Sequence, residues 1–403
     1  MVRRPLAALA NPNYRLYVFG QIVSQSGAWM QRIAQAWLVL DLTDSPVALG
    51  TLAALQFLPI LVFSLFAGVV VDRLPKRRFL MALQLGAVTQ ATLLAVLTLT
   101  GTVQLWEIYA LGLLLGAITA FDNPTRQTFV SEMVDREQLQ SAVAINASVF
   151  NFGRIAGPAI GGVIVATGGA GWCFAVNAVS YFAVLGALAL MRADRLHPVA
   201  PRAHATVATE LLDGLRYVRS ERRLTIPLVV QAFMGVFGWN FSVILPLLAR
   251  YAFDVGPVGF GTLNAAQGFG AVVGSVVAAG AGRPRTRTLV RTAAVFGIVL
   301  AAIGLAPVFG VAVVLLVLLG GVSVFFQATT NTSLQLTAQE EYRGRVMSVY
   351  LLLSAGATPI GSPFTGALAD ILGIRAAVMV NGALVLVGAG TGWLLSRRGR
   401  VAR

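Results

Sequence analysis

The sequence predicts an all-α membrane protein: twelve transmembrane helices in two pseudo-symmetric six-helix halves. Three observations predict it. The 403 residues are 57% hydrophobic and only 11% charged, with a mean hydropathy of +0.78; a soluble domain carries about 25% charged residues. Lipid must therefore be the solvent for most of the chain. Apolar runs of bilayer length recur from one end to the other. The net charge of +14 gathers in short segments between those runs, on alternate sides, which is how membrane topology is encoded. The same excess of base in a soluble chain would suggest nucleic acid; distributed in this way it does not.

A spanning helix needs about 20 apolar residues. The runs are 14–40, 47–71, 79–99, 105–121, 139–167, 171–191, 224–251, 258–281, 289–304, 308–330, 345–372 and 376–395. If the N-terminus is cytoplasmic, the inner loops collect Arg3, Arg4, Arg15, Arg73, Lys76, Arg77, Arg78, Arg126, Arg136, the bases of 192–223, Arg283, Arg285, Arg287, Arg291, Arg343, Arg345 and the bases of 397–403. The outer loops keep Arg250 and Arg375, beside Asp41, Asp44, Asp254 and Asp370. Adding or dropping one span midway would destroy that alternation. Both termini are therefore expected in the cytoplasm and the chain in the cell membrane. Residues 1–13 lack the apolar segment and cleavage site of a signal peptide.

The halves, 1–191 and 224–403, flank one polar stretch, 192–223. There Leu211, Leu212, Leu215 and Val218 fall on one helical face and charges on the other. The pattern fits a short helix on the inner membrane surface or a solvated linker helix. The halves echo each other: a shift of 204 residues superposes Glu137 on Glu341, Gly157 on Gly361, Gly162 on Gly366 and Asn177 on Asn381. Parallel halves of this kind build many secondary transporters.

Several chemistries are excluded. The one cysteine, Cys173, permits neither an intrachain disulfide nor a cysteine metal site. His197 and His204, in a Pro/Ala-rich loop, make a poor zinc site. No Gly-x4-Gly-Lys-Ser/Thr loop is present for direct ATP drive, and no His-Glu-x-x-His or Gly-x-Ser-x-Gly motif for a membrane enzyme. No cofactor is expected.

Two motifs carry a family resemblance. Between the second and third spans stand Gly68, Asp72, Arg73, Lys76, Arg77 and Arg78, spaced Gly-x3-Asp-Arg-x2-Lys-Arg-Arg. In the fifth span Gly153, Gly157, Pro158, Gly161 and Gly162 form Gly-x3-Gly-Pro-x2-Gly-Gly. The first is similar to the loop 2–3 motif of major facilitator superfamily transporters and departs from it at Pro75, where the family has Gly. The second resembles that superfamily's antiporter motif, with Ala144 in place of its upstream Gly. Residues Ser24-Gln25-Ser26-Gly27-Ala28-Trp29-Met30-Gln31, Leu42-Thr43-Asp44-Ser45-Pro46 and Tyr342-Arg343-Gly344-Arg345-Val346 resemble the branch that holds enterobactin exporters and macrolide-efflux proteins. The resemblance implies alternating access and efflux of an amphipathic organic compound, drug or siderophore, in exchange for protons, by a monomer. It also implies a gate in which Asp72 meets the start of the eleventh span. A small-solute importer or facilitator is the other reading of the same fold.

Residues taken one by one add candidates. Arg32 shares a helical stripe with Gln21, Gln25 and Gln35, since offsets of 4, 7 and 3 return to one face. Trp29 lies at its edge and could stack a flat ligand. Arg154 is a second charge at membrane depth. Such charges face a cavity or hold helices together through partners. The resemblance implies that spans one, four, seven and ten line the path. It thereby adds Asp122, Asn123, Gln231, Trp239, Asn240, Gln327 and Asn331, with Asn151 and Gln267 from neighbouring spans; each is equally a candidate for interhelical hydrogen bonding. Asp122 is the acid best placed to carry a proton; Glu107 and Asp370 lie near outer ends. The superfamily's arginine in span four is missing from 111–122.

Overall fold

A computed structural model describes residues 6–197, 213, 216–282 and 284–398. Among the described residues there are helices and no strands. Spans one to six are Pro12–Thr43, Pro46–Arg73, Lys76–Leu99, Leu105–Met133, Leu139–Gly168 and Ala170–Leu190. Span eight is Gly256–Gly280, nine Thr286–Gly304, ten Phe309–Thr337 and twelve Ile374–Arg398.

Spans seven and eleven are not single α-helices. Span seven runs as Arg222–Phe233, then wide π turns over Met234–Gly238, then Phe241–Leu247 and a second π segment, Leu248–Ala252. Gly235, Gly238 and Pro246 lie in or beside these irregular turns, and π segments inside α-helices concentrate at functional sites. Span eleven is broken at Gly356 and Ala357 into Arg343–Ala355 and Thr358–Leu372. Among the described residues ten candidate spans, Arg222–Ala252 included, are long and apolar enough to cross a membrane. The other two sequence-predicted spans are span one, a 32-residue helix diluted by glutamines, and the broken span eleven.

Helix ends follow local chemistry. The Asn11 side chain accepts from the backbone N–H of Asn13 (3.0 Å) and Tyr14 (3.3 Å), with Pro12 opening the helix; this is an N-cap with proline at the first helical position. The repeat is written in the backbone too. Gly169 (φ +86°) and Gly373 (φ +79°) turn spans five into six and eleven into twelve, a left-handed conformation that suits glycine. Asp44 (φ 49°) and Asp254 (φ 51°) do the same before spans two and eight.

The chain divides into two compact units. Unit 1 is Met1–Leu42, Pro59–His204 and Pro257–Gly261; unit 2 is Thr43–Leu58, Ala205–Gly256 and Thr262–Arg403. The first turns of spans two and eight thus belong to the unit of the opposite half. In unit 1 a core of Tyr14, Tyr17, Leu80, Phe129, Met133 and Leu188 gathers at the ends bearing the basic loops. In unit 2 the matching cluster is Val218, Leu224, Leu228, Leu334, Val346 and Tyr350. Val218 is therefore buried, and Tyr217 beside it stacks on Tyr342 at 4.3 Å. The described end of the linker helix, 216–220, spends its apolar side on protein. Glu210, Leu211, Leu212 and Leu215 lie outside the described residues. Large apolar side chains remain exposed along the spans, Val276 at 69% and Ile371 at 76%, as lipid-facing positions require.

Candidate functional site: a basic hairpin, a glycine seam and a carboxylate cluster

The hairpin after span two is bound into unit 1 by its bases. Lys76 Nζ lies 2.8 Å from Glu132 Oε1, both side chains 8% exposed. Arg77 donates from Nε to the Leu188 carbonyl (2.7 Å) and from its terminal nitrogen to the Ala189 carbonyl (3.0 Å). These contacts clamp the start of span three to the ends of spans four and six. Asp72 is half-buried, Arg73 and Arg78 are exposed, and Gly68 has open space where a side chain would stand. Pro75 precedes the helix at φ −66°, so this turn needs no residue with positive φ. Removing one partner of a buried pair strands the other charge. Lys76→Ala is expected to lower stability by about 3–5 kcal/mol, seen as a fall in melting temperature in detergent. The double change to methionine at Lys76 and Glu132 should cost less.

The span-five motif is a seam with two faces. Gly153, Gly157 and Gly161 lie along span one: a Cβ on Gly157 would stand 2.5 Å from the Ser26 carbonyl oxygen, and one on Gly161 2.9 Å from Met30 Cγ. Gly162 looks to span eight instead, where a Cβ would stand 2.6 Å from the Pro257 carbonyl oxygen and 3.3 Å from Gly261 Cα. Both faces recur in unit 2. Gly361 leaves room for Val236 and Asn240 of span seven. A Cβ on Gly366 would stand 2.6 Å from the Pro46 carbonyl oxygen and 3.3 Å from Gly50 Cα in span two. Small residues let helix backbones approach this closely.

The span-one stripe divides. Gln21 and Gln35 are buried, Gln35 donating to the Ile108 carbonyl at 3.3 Å, so these two do not line an open face. Gln25 is half-buried against Gly153. Arg32 is exposed, and its guanidinium sits 4.6 Å from the centroid of the Trp29 ring, which meets Phe150 edge-on at 5.7 Å. Arg32 therefore occupies a face of the ring that was expected to stack a ligand. Arg154 and Asn151 are half-buried, and Asn151 donates to the Ala147 carbonyl of its own helix.

Asp122 is the centre of a cluster. Gln84 Nε2 donates to its Oδ1 at 2.9 Å, and Arg126 pairs with its Oδ2, each side chain of the pair 15% exposed. Arg126 stands one turn beyond 111–122, within span four. Asn123 is exposed. Glu107 serves a capping box, its Oε2 accepting from the Gln104 N–H at 2.8 Å, and Asp370 is exposed.

In unit 2 several candidates are interhelical ties. Asn240 is fully buried, donating to the Val236 carbonyl (2.7 Å) and Thr365 Oγ1 (3.0 Å), which also accepts from Asn381. Gln231 is fully buried and donates to Ser354 Oγ at 3.0 Å. Gln267 is buried. Trp239 is half-buried, packed edge-on against Phe326. Gln327 is exposed, and Asn331 is half-buried, accepting from Gln335.

Sequence reasoning missed the counterpart tie in unit 1. Gln31 is fully buried between Gln90 (2.9 Å) and Asn177 (2.6 Å), joining spans one, three and six. Asn177 and Asn381 are both fully buried interhelical donors, Asn177 to Gln31 of span one and Asn381 to Thr365 of span eleven. The available signal was a set of amides in otherwise apolar spans, Gln31, Gln84 and Gln90, which membrane helices bury only with partners.

A family model described as transmembrane secretion effector matches residues 3–398. The chain is 29% identical over 376 residues to the multidrug efflux pump Tap of Mycolicibacterium fortuitum, covering 90% of each. It is 24% identical to macrolide efflux protein A of Streptococcus pyogenes, covering 91% of this chain and 92% of that one. It is 26% identical to the staphyloferrin A transporter of Staphylococcus aureus, covering 86% and 87%. Among solved structures, the POT family transporter PepTSo superposes with a TM-score of 0.78 at 13% identity, covering 98% of this chain and 99% of that one. A bacterial homologue of the lysosomal transporter Spinster gives 0.76 at 12%, covering 96% and 97%. These two establish the major facilitator fold.

Proposed function

The chain belongs to the transmembrane secretion effector family of major facilitator transporters, and from that premise we propose that it exports an amphipathic organic compound, drug or siderophore-like, in exchange for protons. The observation that carries the reading is the two-faced glycine seam. Its repeat in span eleven makes two like crossings, span five on the start of span eight and span eleven on the start of span two. Crossings held by bare backbone contact close tightly and part without withdrawing interdigitated side chains. That suits an outer gate which opens once per cycle. The inner gate is the basic hairpin, with Asp72 seeking the start of span eleven, where a carboxylate is favoured by the helix dipole. The names of the relatives support efflux as the direction.

Proton drive is assigned to Asp122. Its carboxylate is held by Arg126 and Gln84, and release of the arginine is the step at which it would exchange a proton. The basic loops support cytoplasmic termini, and the proposed working unit is a monomer in the plasma membrane. The experiment is a deletion strain screened against macrolides, tetracyclines, lipophilic cations and siderophores. Increased sensitivity, or retention of a siderophore, is expected. Unchanged responses with loss of uptake of a nutrient would mean an importer.

A further inference from the structure

Unit 2 carries a cavity that the transport reading does not use. It has a volume of about 850 Å³ and lies among spans eight, nine and ten. Gly270 and Gly274 of span eight pack so closely on Val317 and Gly321 of span ten that a Cβ on either would strike backbone. Those two helices form its floor. Its walls are valines, with Leu318 and Phe325. Val273, Val277, Val295 and Val314 are 43–67% exposed, so the cavity opens sideways, toward lipid. At one end stand Thr288, Arg291 and Thr292. Arg291 is exposed, and Arg285 and Arg287 are exposed on the preceding turns. The N-terminus of span nine, at Thr286, has no side-chain cap.

We propose that this crevice holds one anionic phospholipid of the leaflet on the basic-loop side. Three features select that occupant. From Val314 to Phe325 the crevice follows span ten for about 16 Å, at 1.5 Å per residue. One leaflet of a hydrocarbon core of about 30 Å has the same depth. The positive charge sits at one end alone, where the headgroup of such a lipid would lie, and the rest is apolar. Arg291, the Thr288 hydroxyl and the uncapped helix end all offer donors or positive potential to a phosphate, and a membrane-facing arginine is costly without an anion.

The test uses the purified full-length protein in detergent, with dioleoyl phosphatidylglycerol or dioleoyl phosphatidylcholine added and bound lipid counted by native mass spectrometry. The phosphatidylglycerol adduct is expected to survive about fivefold better than the phosphatidylcholine one, from one to two basic side chains at the headgroup. Arg291→Gln should erase that preference and Arg291→Lys should keep it. Val295→Trp, which fills the crevice and leaves Arg291 in place, should lower both adducts. If Arg291→Gln does not fold, as judged by size-exclusion chromatography, Val295→Trp carries the test. Equal retention of the two lipids by the unaltered protein would overturn the proposal. So would an undiminished phosphatidylglycerol adduct in Arg291→Gln or Val295→Trp, or displacement of the lipid by an exported amphiphile competing for the crevice.

Discussion

Gly162→Ala is expected to cut export about tenfold without reducing the amount of inserted protein. The added methyl group would stand 2.6 Å from the Pro257 carbonyl oxygen and 3.3 Å from Gly261 Cα. Both obstacles are backbone, so no flexible side chain can swing aside. Overpacking of this kind costs about 1–3 kcal/mol, and a cost borne by one conformation alone shifts the population by about tenfold for each 1.4 kcal/mol. Gly366→Ala should behave alike, since its Cβ would meet the Pro46 carbonyl oxygen at 2.6 Å. Gly186→Ala is the control: nothing lies within 4 Å of its Cβ, and alanine favours the helix by about 1 kcal/mol. Export rate per folded molecule, with fluorescence-detected size exclusion for the amount, decides the matter. Wild-type rates in both Gly162→Ala and Gly366→Ala would show that the crossings are static packing.

Asp122→Asn is expected to abolish pH-driven export and to destabilise the fold by about 3–5 kcal/mol, because Arg126 is left inside without its counterion. These two effects separate. Asp122→Asn with Arg126→Gln removes both charges and should recover most of the melting temperature while transport stays uncoupled from the pH gradient. Gln84, which donates to the same carboxylate, loses less: Gln84→Ala removes one hydrogen bond to a charged group, about 1.5–3 kcal/mol. If the asparagine variant still couples export to an imposed gradient, the proton travels elsewhere.

Much of this was legible in the chain itself. The spans and both motifs could be read because hydropathy and short spacing are local properties. The repeat could be read because Gly157, Gly162 and Asn177 return after one fixed interval. The wide turns of span seven could not. Gly235 and Gly238 permit a change of winding and do not dictate one, and a hydropathy window is blind to winding. Helical spacing placed Gln21, Gln25, Arg32 and Gln35 on one stripe but could not say which helix would cover it; span four covers Gln35 and leaves Arg32 open. Lys76 and Glu132 stand far apart in sequence, so their pairing was invisible; Asp122 and Arg126 are four residues apart, and their pairing was hidden only because Arg126 reads as part of an inner loop while the helix runs on to Met133.

The most direct measurement reconstitutes the protein in liposomes, imposes a pH gradient and follows the movement of a macrolide or a carboxylate siderophore against its own gradient. The account predicts uphill accumulation that collapses when the pH gradient is dissipated, and that is absent in Asp122→Asn. Uphill movement that persists without any proton gradient, or solute movement only down its own gradient, would contradict it.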